Sequence, residues 1–308
     1  MAWRLGTGAG MRIVAYDRGG QRGLGVVEGD MVVELALAAP DLPGDLGTLL
    51  RLDGGLEAAR RAAGRACAMH RRPLDGLRYR LPIEQPGKIL CLGPNYAATA
   101  AQWQYEVSEC PSAVMRGVTS LTPHGGAIMR PRVSEQLDYG AELAVIIGRR
   151  ARYLPLADAL GCVAGYTCFN DGTVRDYERR SQQWTLGKNF DATGAIGPWM
   201  VTADELPPGA AGLRVEAHLC GEPLQCATTS DMIFPVAKAI ALLSECMTLE
   251  PGDLIAMGSP PGVGSARHPR IWMRPGDVIE VAIEGIGVLS NPVLCEREAA
   301  EAVERCAA

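Results

Sequence analysis

The sequence has 308 residues, of which 47% are hydrophobic and 21% are charged, so it can bury a substantial core in one large domain or two smaller ones. Its 30 Lys and Arg against 35 Asp and Glu give a formal charge of -5, which offers no basic surface to nucleic acid or anionic lipid. No uncharged apolar run approaches the ~18 to 20 residues of a membrane span, and the first residues lack the apolar stretch of a secretory signal. We therefore expect a soluble, cytoplasmic protein that binds neither nucleic acid nor membrane.

The ten cysteines are scattered, no two of them have CxxC spacing, and the four histidines share no local pattern with them. This disfavours a structural zinc site, and reduced thiols are expected in a chain too long to need disulfides. The 37 Gly and 21 Pro, with few long periodic stretches, predict a protein of strands and turns.

The chain begins with a Gly-rich, patternless stretch, which predicts a disordered leader over residues 1–10. From Met11, short apolar runs alternate with GG and EGD turns, a pattern typical of a small antiparallel meander. Apolar and Ala positions at helical spacing over residues 46–70 predict one or two short helices. A proline-punctuated connector follows, so we predict a small N-terminal domain over residues 11–84.

The second domain is predicted over residues 85–295. KILCLG at 88–93 has the pattern of a buried strand, and the Ala-rich AATAAQWQYE after it favours a short helix. LDYGAELAVIIG at 137–148 is the strongest strand pattern, and its period of two places Asp138, Gly140 and Glu142 on one face.

A further strand pattern, GCVAGYTCFND at 161–171, ends at Asp171 and runs into a predicted helix, TVRDYERRSQQ. On that helix Asp171, Arg175 and Glu178 would line one side. Strands and Gly/Pro turns fill most of the remainder, and residues 296–308 have the polar pattern of a helical tail.

Four segments in order resemble the fumarylacetoacetate hydrolase family: KILCLGPNY, DYGAELAVIIG, GYTCFNDGTVRDYE with WTLGKNFD, and PGDLIAMGSPPGVG with IEGIGVLSN. The resemblance implies an α+β protein, with a mixed β-roll catalytic domain and a small N-terminal β-rich domain, that forms a homodimer and binds Mg²⁺ or Mn²⁺. Its members act on small enolisable 2-oxo or 1,3-dicarbonyl acids by hydrolysis, decarboxylation, hydration or tautomerisation.

The resemblance also implies a metal cage, in which two glutamates on one strand act with the aspartate that ends the next. Those positions are Gly140, Glu142 and Asp171, so the first carboxylate is missing and a bound cation would be held weakly. Hydrolytic members carry a His and a Glu on a lid helix that activate water. Thr99 and Gln102 stand at those positions, and neither is a base at neutral pH.

Some of the remaining site positions depart from the family's pattern, and others match it. Glu178 replaces a Gln that usually follows the family's R-D pair, Ser259 replaces a Thr, and Arg116 replaces a Lys, whereas Arg175 and Lys188 are kept. The resemblance makes Lys188 and Glu178 candidate catalytic residues, and Glu178 is also a candidate substitute for the missing metal ligand. His124 is the histidine nearest in sequence that could replace the lost base.

The candidate substrate-binding residues are Arg116, Arg175, Tyr139, Ser259, Thr99 and Gln102. Each of these residues also has a non-functional interpretation. The arginines and Glu178 would form surface ion pairs, and His124 would lie in an exposed loop. For Asp138, a structural role as a hydrogen-bond acceptor is the favoured interpretation.

Three functional hypotheses follow. The first is an enzyme of a specialised pathway that acts on a small oxo acid or β-dicarbonyl compound through an enolate, in a non-hydrolytic step: decarboxylation, tautomerisation, carbon–carbon cleavage or cyclisation. The second is a metal-dependent acylpyruvate-type hydrolase in which Glu178 and His124 supply the missing ligand and base. The third is a catalytically silent binding or partner subunit.

Overall fold

The computed structural model describes residues 10–296. It contains eighteen strands within these residues, numbered in chain order. They are Arg12–Arg18 (β1), Gln21–Glu28 (β2), Met31–Glu34 (β3), Arg71–Pro73 (β4), Ile89–Leu92 (β5), Ala113–Met115 (β6), Leu121–Pro123 (β7), Ile128–Arg130 (β8), Leu137–Asp138 (β9), Ala141–Ile147 (β10), Val163–Asn170 (β11), Thr173–Val174 (β12), Gly194–Thr202 (β13), Arg214–Leu219 (β14), Glu222–Thr228 (β15), Leu254–Ala256 (β16), Val278–Ile283 (β17) and Gly287–Cys295 (β18).

The α-helices are short and few in the same part of the chain. They are Leu35–Ala38 (α1), Leu46–Arg51 (α2), Gly55–Gly64 (α3), Ala97–Gln102 (α4), Arg175–Glu178 (α5), Thr185–Lys188 (α6) and Val236–Cys246 (α7). No helix among the described residues is long and apolar enough to cross a membrane.

An eleven-stranded mixed sheet dominates the fold, in the order β4-β3-β2-β1-β13-β11-β10-β16-β5-β6, with β7 paired to β13. The antiparallel meander β1–β3 is present as the turn pattern predicts. Its first strand pairs with β13, with Arg12 opposite Val201, so the N-terminal strands extend the sheet that carries the site. The boundary near residue 85 remains a prediction.

A second sheet of five strands, in the order β15-β14-β17-β18-β8, packs against the first. Strand β10 is buried along its whole length and contacts β14 and β17 as well as its own neighbours in the large sheet. A strand that is buried on both faces has a continuous apolar sequence, and the LAVII segment of β10 has this pattern. The largest core cluster lies here, between the two sheets and α7.

The site depends on four adjacent strands, β11, β10, β16 and β5. Strands β5 and β16 run parallel, so PNY after β5 and GSP after β16 leave the sheet at the same edge. Strand β10 is antiparallel to both β11 and β16, so its first residues lie at that edge beside the end of β11. The motifs of the predicted site are therefore brought together by strand order.

The mixed α+β architecture predicted from the sequence is confirmed, and residues 46–70 contain two short helices, α2 and α3. The helix expected across residues 173–183 is much shorter. Thr173 and Val174 pair as strand β12 with β9, so regular helix is confined to α5. Of the predicted leader and tail, residues 1–9 and 297–308 lie outside the described residues.

Candidate active site

A small cavity lies at the edge formed by β5, β10, β11 and β16, and we call it the inner cavity. Its volume is about 30 Å³, room for one or two water molecules. Its charged lining residues are Glu142, Asp171, Arg175, Glu178 and Lys188. Glu142 thus shares one small space with four charged residues that lie about 30 to 46 positions later in the sequence.

Glu142 is the second residue of β10 and is almost fully buried. Its Oε2 accepts a hydrogen bond from the Gly258 backbone N–H at 2.8 Å, and its Oε1 accepts one from the Ser259 hydroxyl at 2.8 Å. Burial, followed by the nearby Asp171 carboxylate, raises the pKa of Glu142 to about 8, although Lys188 acts in the opposite direction. Glu142 can therefore gain and lose a proton close to neutral pH.

Asp171 follows the last residue of β11 and is held by two cations. Arg116 Nη1 donates to its Oδ1 at 2.6 Å, and Lys188 Nζ donates to its Oδ2. Burial alone would raise the pKa of Asp171, but the charges of Lys188 and Arg116 outweigh it and lower that pKa to about 2. Asp171 is consequently a fixed negative charge.

Lys188 is brought to Asp171 by the short helix α6 and the residues beside it. Its Nζ also donates to the Thr173 hydroxyl at 3.1 Å. The next residue, Asn189, accepts a hydrogen bond from Gly117 N–H at 2.6 Å through its side-chain oxygen, which ties this segment to the loop that carries Arg116. Both cations are therefore positioned by one connected set of polar contacts.

Arg175 forms a second ion-paired group. Its Nε donates to Asp138 Oδ2 at 2.8 Å, and its Nη1 donates to both carboxylate oxygens of Glu178 at 3.0 Å. Burial would lower the pKa of Arg175, but Asp138 and Glu178 together raise it. Asp138 also accepts backbone hydrogen bonds from Gly264 and other residues, which fits the structural role favoured for it above.

Gly140 stands where the resemblance implies the first metal-binding glutamate. Its N–H donates to the Asn170 side-chain oxygen at 3.0 Å, and its carbonyl accepts from Asp171 N–H at 2.8 Å. A Cβ at this position would lie 2.3 Å from the Ser259 Oγ, so the serine hydroxyl that binds Glu142 fills the space beside the glycine. The glycine and the serine hydroxyl therefore depend on each other.

Thr99 and Gln102, both on helix α4, line different cavities. Thr99 lines the inner cavity, and its hydroxyl donates to the Ser259 carbonyl at 3.1 Å. Gln102 lines a larger neighbouring space of about 620 Å³, which we call the outer cavity. The two cavities share Trp103, Arg175, Glu178 and Trp184.

Besides Gln102, the structure leaves three predicted site residues, Arg116, Tyr139 and His124, outside the inner cavity lining. Arg116 is buried against Asp171, Ser120 and Thr193, so it positions Asp171. Tyr139 donates from its hydroxyl to the Gly262 carbonyl at 3.1 Å within the core, where burial raises its pKa to about 12. His124 lines a different pocket.

At that pocket, the His124 ring packs edge-on against Tyr79, with ring centres 4.5 Å apart. Its Nδ1 accepts a hydrogen bond from Ser290 N–H at 3.1 Å, and burial lowers the pKa of this histidine. Because it faces another pocket, His124 cannot serve as a base for the inner cavity in this conformation.

Trp103 and Trp184 were not singled out from the sequence, although both line the two cavities. Only 5% of the residues are aromatic, and Trp184 opens the motif that contains Lys188. The position of two tryptophans close to site motifs, in a chain poor in aromatic residues, could have indicated that they line the site.

The inner cavity is where the resemblance implies a divalent cation. All four carboxylate oxygens of Glu142 and Asp171 already accept hydrogen bonds from protein donors. Within residues 10–296, no group of three or more His, Cys, Asp or Glu side chains is arranged to hold a metal ion. Mg²⁺ needs oxygen ligands in a nearly octahedral arrangement. These residues do not fit a resident cation held by the protein alone.

Comparison with known proteins agrees with the motifs and the fold. The family model for the C-terminal domain of fumarylacetoacetate hydrolase matches residues 88–294, which include the whole inner cavity. The chain belongs to the fumarylacetoacetate hydrolase family. A mitochondrial oxaloacetate tautomerase of Bos taurus is 32% identical over 299 residues, which cover 95% of this chain and 94% of the relative.

Solved structures of the fumarylacetoacetate hydrolase family extend the comparison. The fumarylacetoacetate hydrolase of Exiguobacterium antarcticum has a TM-score of 0.79 and 31% identity, and the alignment covers 93% of this chain and all of that one. The maleylpyruvate hydrolase of Sphingobium sp. SYK-6, solved with manganese and pyruvate, has a TM-score of 0.76 and 28% identity and covers 92% and 99%. The chain is an enzyme of this superfamily, whose relatives include tautomerases, isomerases and hydrolases.

The Gly140–Ser259 contact yields a stability prediction. In Gly140→Ala the new Cβ forces the serine hydroxyl away from Glu142, and loss of that buried hydrogen bond should lower the free energy of unfolding by about 1–3 kcal/mol. In a Ser259→Ala background the same substitution should cost much less, because the obstructing oxygen is gone. Denaturant unfolding of the four proteins measures this; equal losses in both backgrounds would contradict the contact.

The raised pKa of Glu142 yields a pH prediction. Between the ordinary value of 4.5 and about 8 the folded protein holds a proton on Glu142 that the unfolded chain has lost. The stability from this group is thus complete below 4.5 and declines as pH rises to about 8, by at most about 1.4 kcal/mol per unit. Glu142→Gln should flatten this decline in denaturant unfolding across that pH range. Parallel curves for the two proteins would show that Glu142 has no raised pKa.

Proposed function

We propose that this enzyme interconverts the keto and enol forms of a small 2-oxo or 1,3-dicarbonyl acid, or performs a related non-hydrolytic step through the same enolate, in a specialised pathway. The observation that carries the proposal is the placement of the Lys188 ammonium group and the proton-holding Glu142 carboxyl group in one inner cavity. An enolate needs a cation near its oxygen and a group that exchanges a proton with carbon.

Lys188 is the proposed electrostatic stabiliser. Its ammonium group is buried and fixed by Asp171 and Thr173, so little reorganisation is needed when negative charge develops on a bound carbonyl oxygen. Asp171 stays ionised and holds this cation in place. Arg116 completes the arrangement by neutralising the second oxygen of Asp171.

Glu142 is the proposed proton carrier. Two carboxylates close together in a buried site adopt different protonation states when their partners differ, and each can then have its own role. Here Asp171 has two cationic partners, whereas Glu142 has a backbone N–H and a serine hydroxyl. The pKa of about 8 allows Glu142 to deliver and remove protons at neutral pH.

The residues at the two positions of the family's water-activating pair favour a non-hydrolytic step. Hydrolysis needs a base that activates water. Thr99 and Gln102 occupy the positions where the resemblance implies such a base, and the described residues that line the inner cavity include no histidine. The oxaloacetate tautomerase of Bos taurus, 32% identical to this chain, is named for a non-hydrolytic step on an enolisable 2-oxo diacid.

The competing proposal is a metal-dependent acylpyruvate-type hydrolase that uses Mg²⁺ or Mn²⁺. It draws support from the maleylpyruvate hydrolase solved with manganese and pyruvate. It requires substrate or water to supply most of the ligands, because Glu142 and Asp171 are already hydrogen-bonded and both oxygens of Glu178 face Arg175. With His124 in another pocket, it also lacks the base predicted for it.

We further propose that the enzyme is a cytoplasmic homodimer. The dimer follows from the resemblance to its family.

Replacement of Lys188 by Met tests the proposal. We expect exchange of the C3 protons of oxaloacetate or acetylpyruvate with deuterated solvent to fall about a hundredfold or more, because the enolate loses its fixed cation. Lys188→Arg, which keeps the charge, should retain more activity than Lys188→Met. Nuclear magnetic resonance measures the exchange, and Lys238→Met, at an exposed lysine, is the matched control. An unchanged rate in Lys188→Met would overturn the assignment.

A further inference from the structure

We propose that Gln225 is a positioning residue of the site: its buried side-chain amide fixes the first residue of β10 and the turn after β16 relative to each other. This inference rests on the proposed function, because these two segments carry Glu142, the proposed proton carrier, and Ser259, which binds it. Gln225 itself lies on β15 of the second sheet and lines neither the inner nor the outer cavity.

The Gln225 side chain is 2% exposed, and its amide group joins two segments that are remote in sequence. Its Oε1 accepts a hydrogen bond from the Ala141 N–H at 2.9 Å, and its Nε2 donates to the Pro260 carbonyl at 2.7 Å. A backbone N–H can only donate and a carbonyl can only accept, so the two partners fix the orientation of the amide group. Ala141 directly precedes Glu142, and Pro260 directly follows Ser259. One planar group therefore spans the two chain positions beside the Glu142–Ser259 hydrogen bond.

Both backbone partners of Gln225 lie where regular strand pairing has stopped. Strand β10 pairs with β16 over residues 144–146, so this ladder does not reach Ala141. Pro260 lies in a turn with two consecutive prolines, which have no N–H groups to donate. A buried backbone group without a partner destabilises the fold. The amide of Gln225 supplies the acceptor for one group and the donor for the other.

The turn after β16 also packs directly against β15. A Cβ at Gly262 would lie 2.4 Å from the Leu224 carbonyl oxygen, so the backbone of the turn approaches β15 more closely than a side chain would allow. The guanidinium group of Arg267 donates to the same Leu224 carbonyl, and its Nε donates to the Gly262 carbonyl at 3.0 Å. Leu224 and Gln225 together therefore hold the turn against the second sheet.

This arrangement determines where the turn meets Glu142. The Gly258 N–H and the Ser259 hydroxyl, both in the turn, donate to the Glu142 carboxyl group at 2.8 Å each. Without the Gln225 amide, the turn and the start of β10 can shift relative to each other, and Glu142 shifts with them. A displaced proton carrier slows the chemical step, whereas substrate binding is largely kept because Gln225 lines neither cavity.

The experiment uses Gln225→Met, which keeps the length of the side chain and removes both hydrogen bonds. Thr229→Val is the matched control, because Thr229 is also buried and also bridges two backbone groups. Its hydroxyl accepts from the Leu213 N–H at 3.0 Å and donates to the Ala210 carbonyl at 2.7 Å. Each substitution is made in wild type and in Ser259→Ala. Exchange of the C3 protons of oxaloacetate with deuterated solvent gives kcat and KM.

We expect Gln225→Met to lower kcat about tenfold while KM stays within about twofold. In Ser259→Ala the same substitution should lower kcat less than about threefold, because the contact that Gln225 maintains is already gone. Thr229→Val should leave kcat within about twofold in both backgrounds. An unchanged kcat in Gln225→Met, an equal fall in both backgrounds, or an equal fall in Thr229→Val would overturn the role of Gln225.

Failure of the proposed function would look different, since wild type itself would then exchange no C3 protons. Denaturant unfolding still decides the role of Gln225. Gln225→Met should shift the unfolding midpoint about half as far in Ser259→Ala as in wild type, whereas Thr229→Val should shift it equally in both. Equal shifts for Gln225→Met overturn the role. If Gln225→Met does not fold, Gln225→Glu, which keeps an oxygen for the Ala141 N–H and loses the amide donor to Pro260, enters the same comparison.

Discussion

The buried carboxylate of Asp171 depends on cations, and Arg116 and Lys188 each neutralise one of its oxygens. An unpaired carboxylate could not stay ionised at this depth, whereas a doubly paired one keeps its charge at any physiological pH. That fixed charge holds Lys188 at the inner cavity and, together with burial, keeps the neighbouring Glu142 inclined to bind a proton. The protonation states of the site thus follow from one ion-paired group.

The departures from the family pattern are physically connected. Gly140 leaves a space that the Ser259 hydroxyl fills, this hydroxyl binds Glu142, and the Thr99 hydroxyl holds the Ser259 carbonyl. Gly140, Ser259 and Thr99 therefore contact one another or Glu142 through hydrogen bonds or close packing. Such mutual support is what a rebuilt polar site requires, because a buried carboxylate that lost a ligand without a new donor would be left unsatisfied.

Much of the fold and of the candidate site could be predicted from the sequence, because strand periodicity is a local property. The pattern of residues 137–148 predicts a buried strand, and the resemblance to the family implies that Glu142, Asp171 and Lys188 share a site, as they do in the inner cavity. Tertiary contacts decided the rest. The helix after Asp171 shortens because Thr173 and Val174 pair with β9. Likewise, no local pattern indicates that Arg116 forms an ion pair with Asp171 or that His124 packs against Tyr79. Nor does one indicate that Trp103 and Arg270 line the same cavity.

Calorimetric titration with Mn²⁺ and Mg²⁺, with and without oxalate as a mimic of the enolised acid, tests whether the protein donors to Glu142 and Asp171 stand in place of a metal cage. We expect no cation binding to wild type, and oxalate-dependent binding to Gly140→Glu combined with Ser259→Ala, which restores a third carboxylate and removes the obstructing hydroxyl. Oxalate-dependent binding to wild type that disappears in Glu142→Gln would show that a cation completes the wild-type site and would favour the metal-dependent hydrolase.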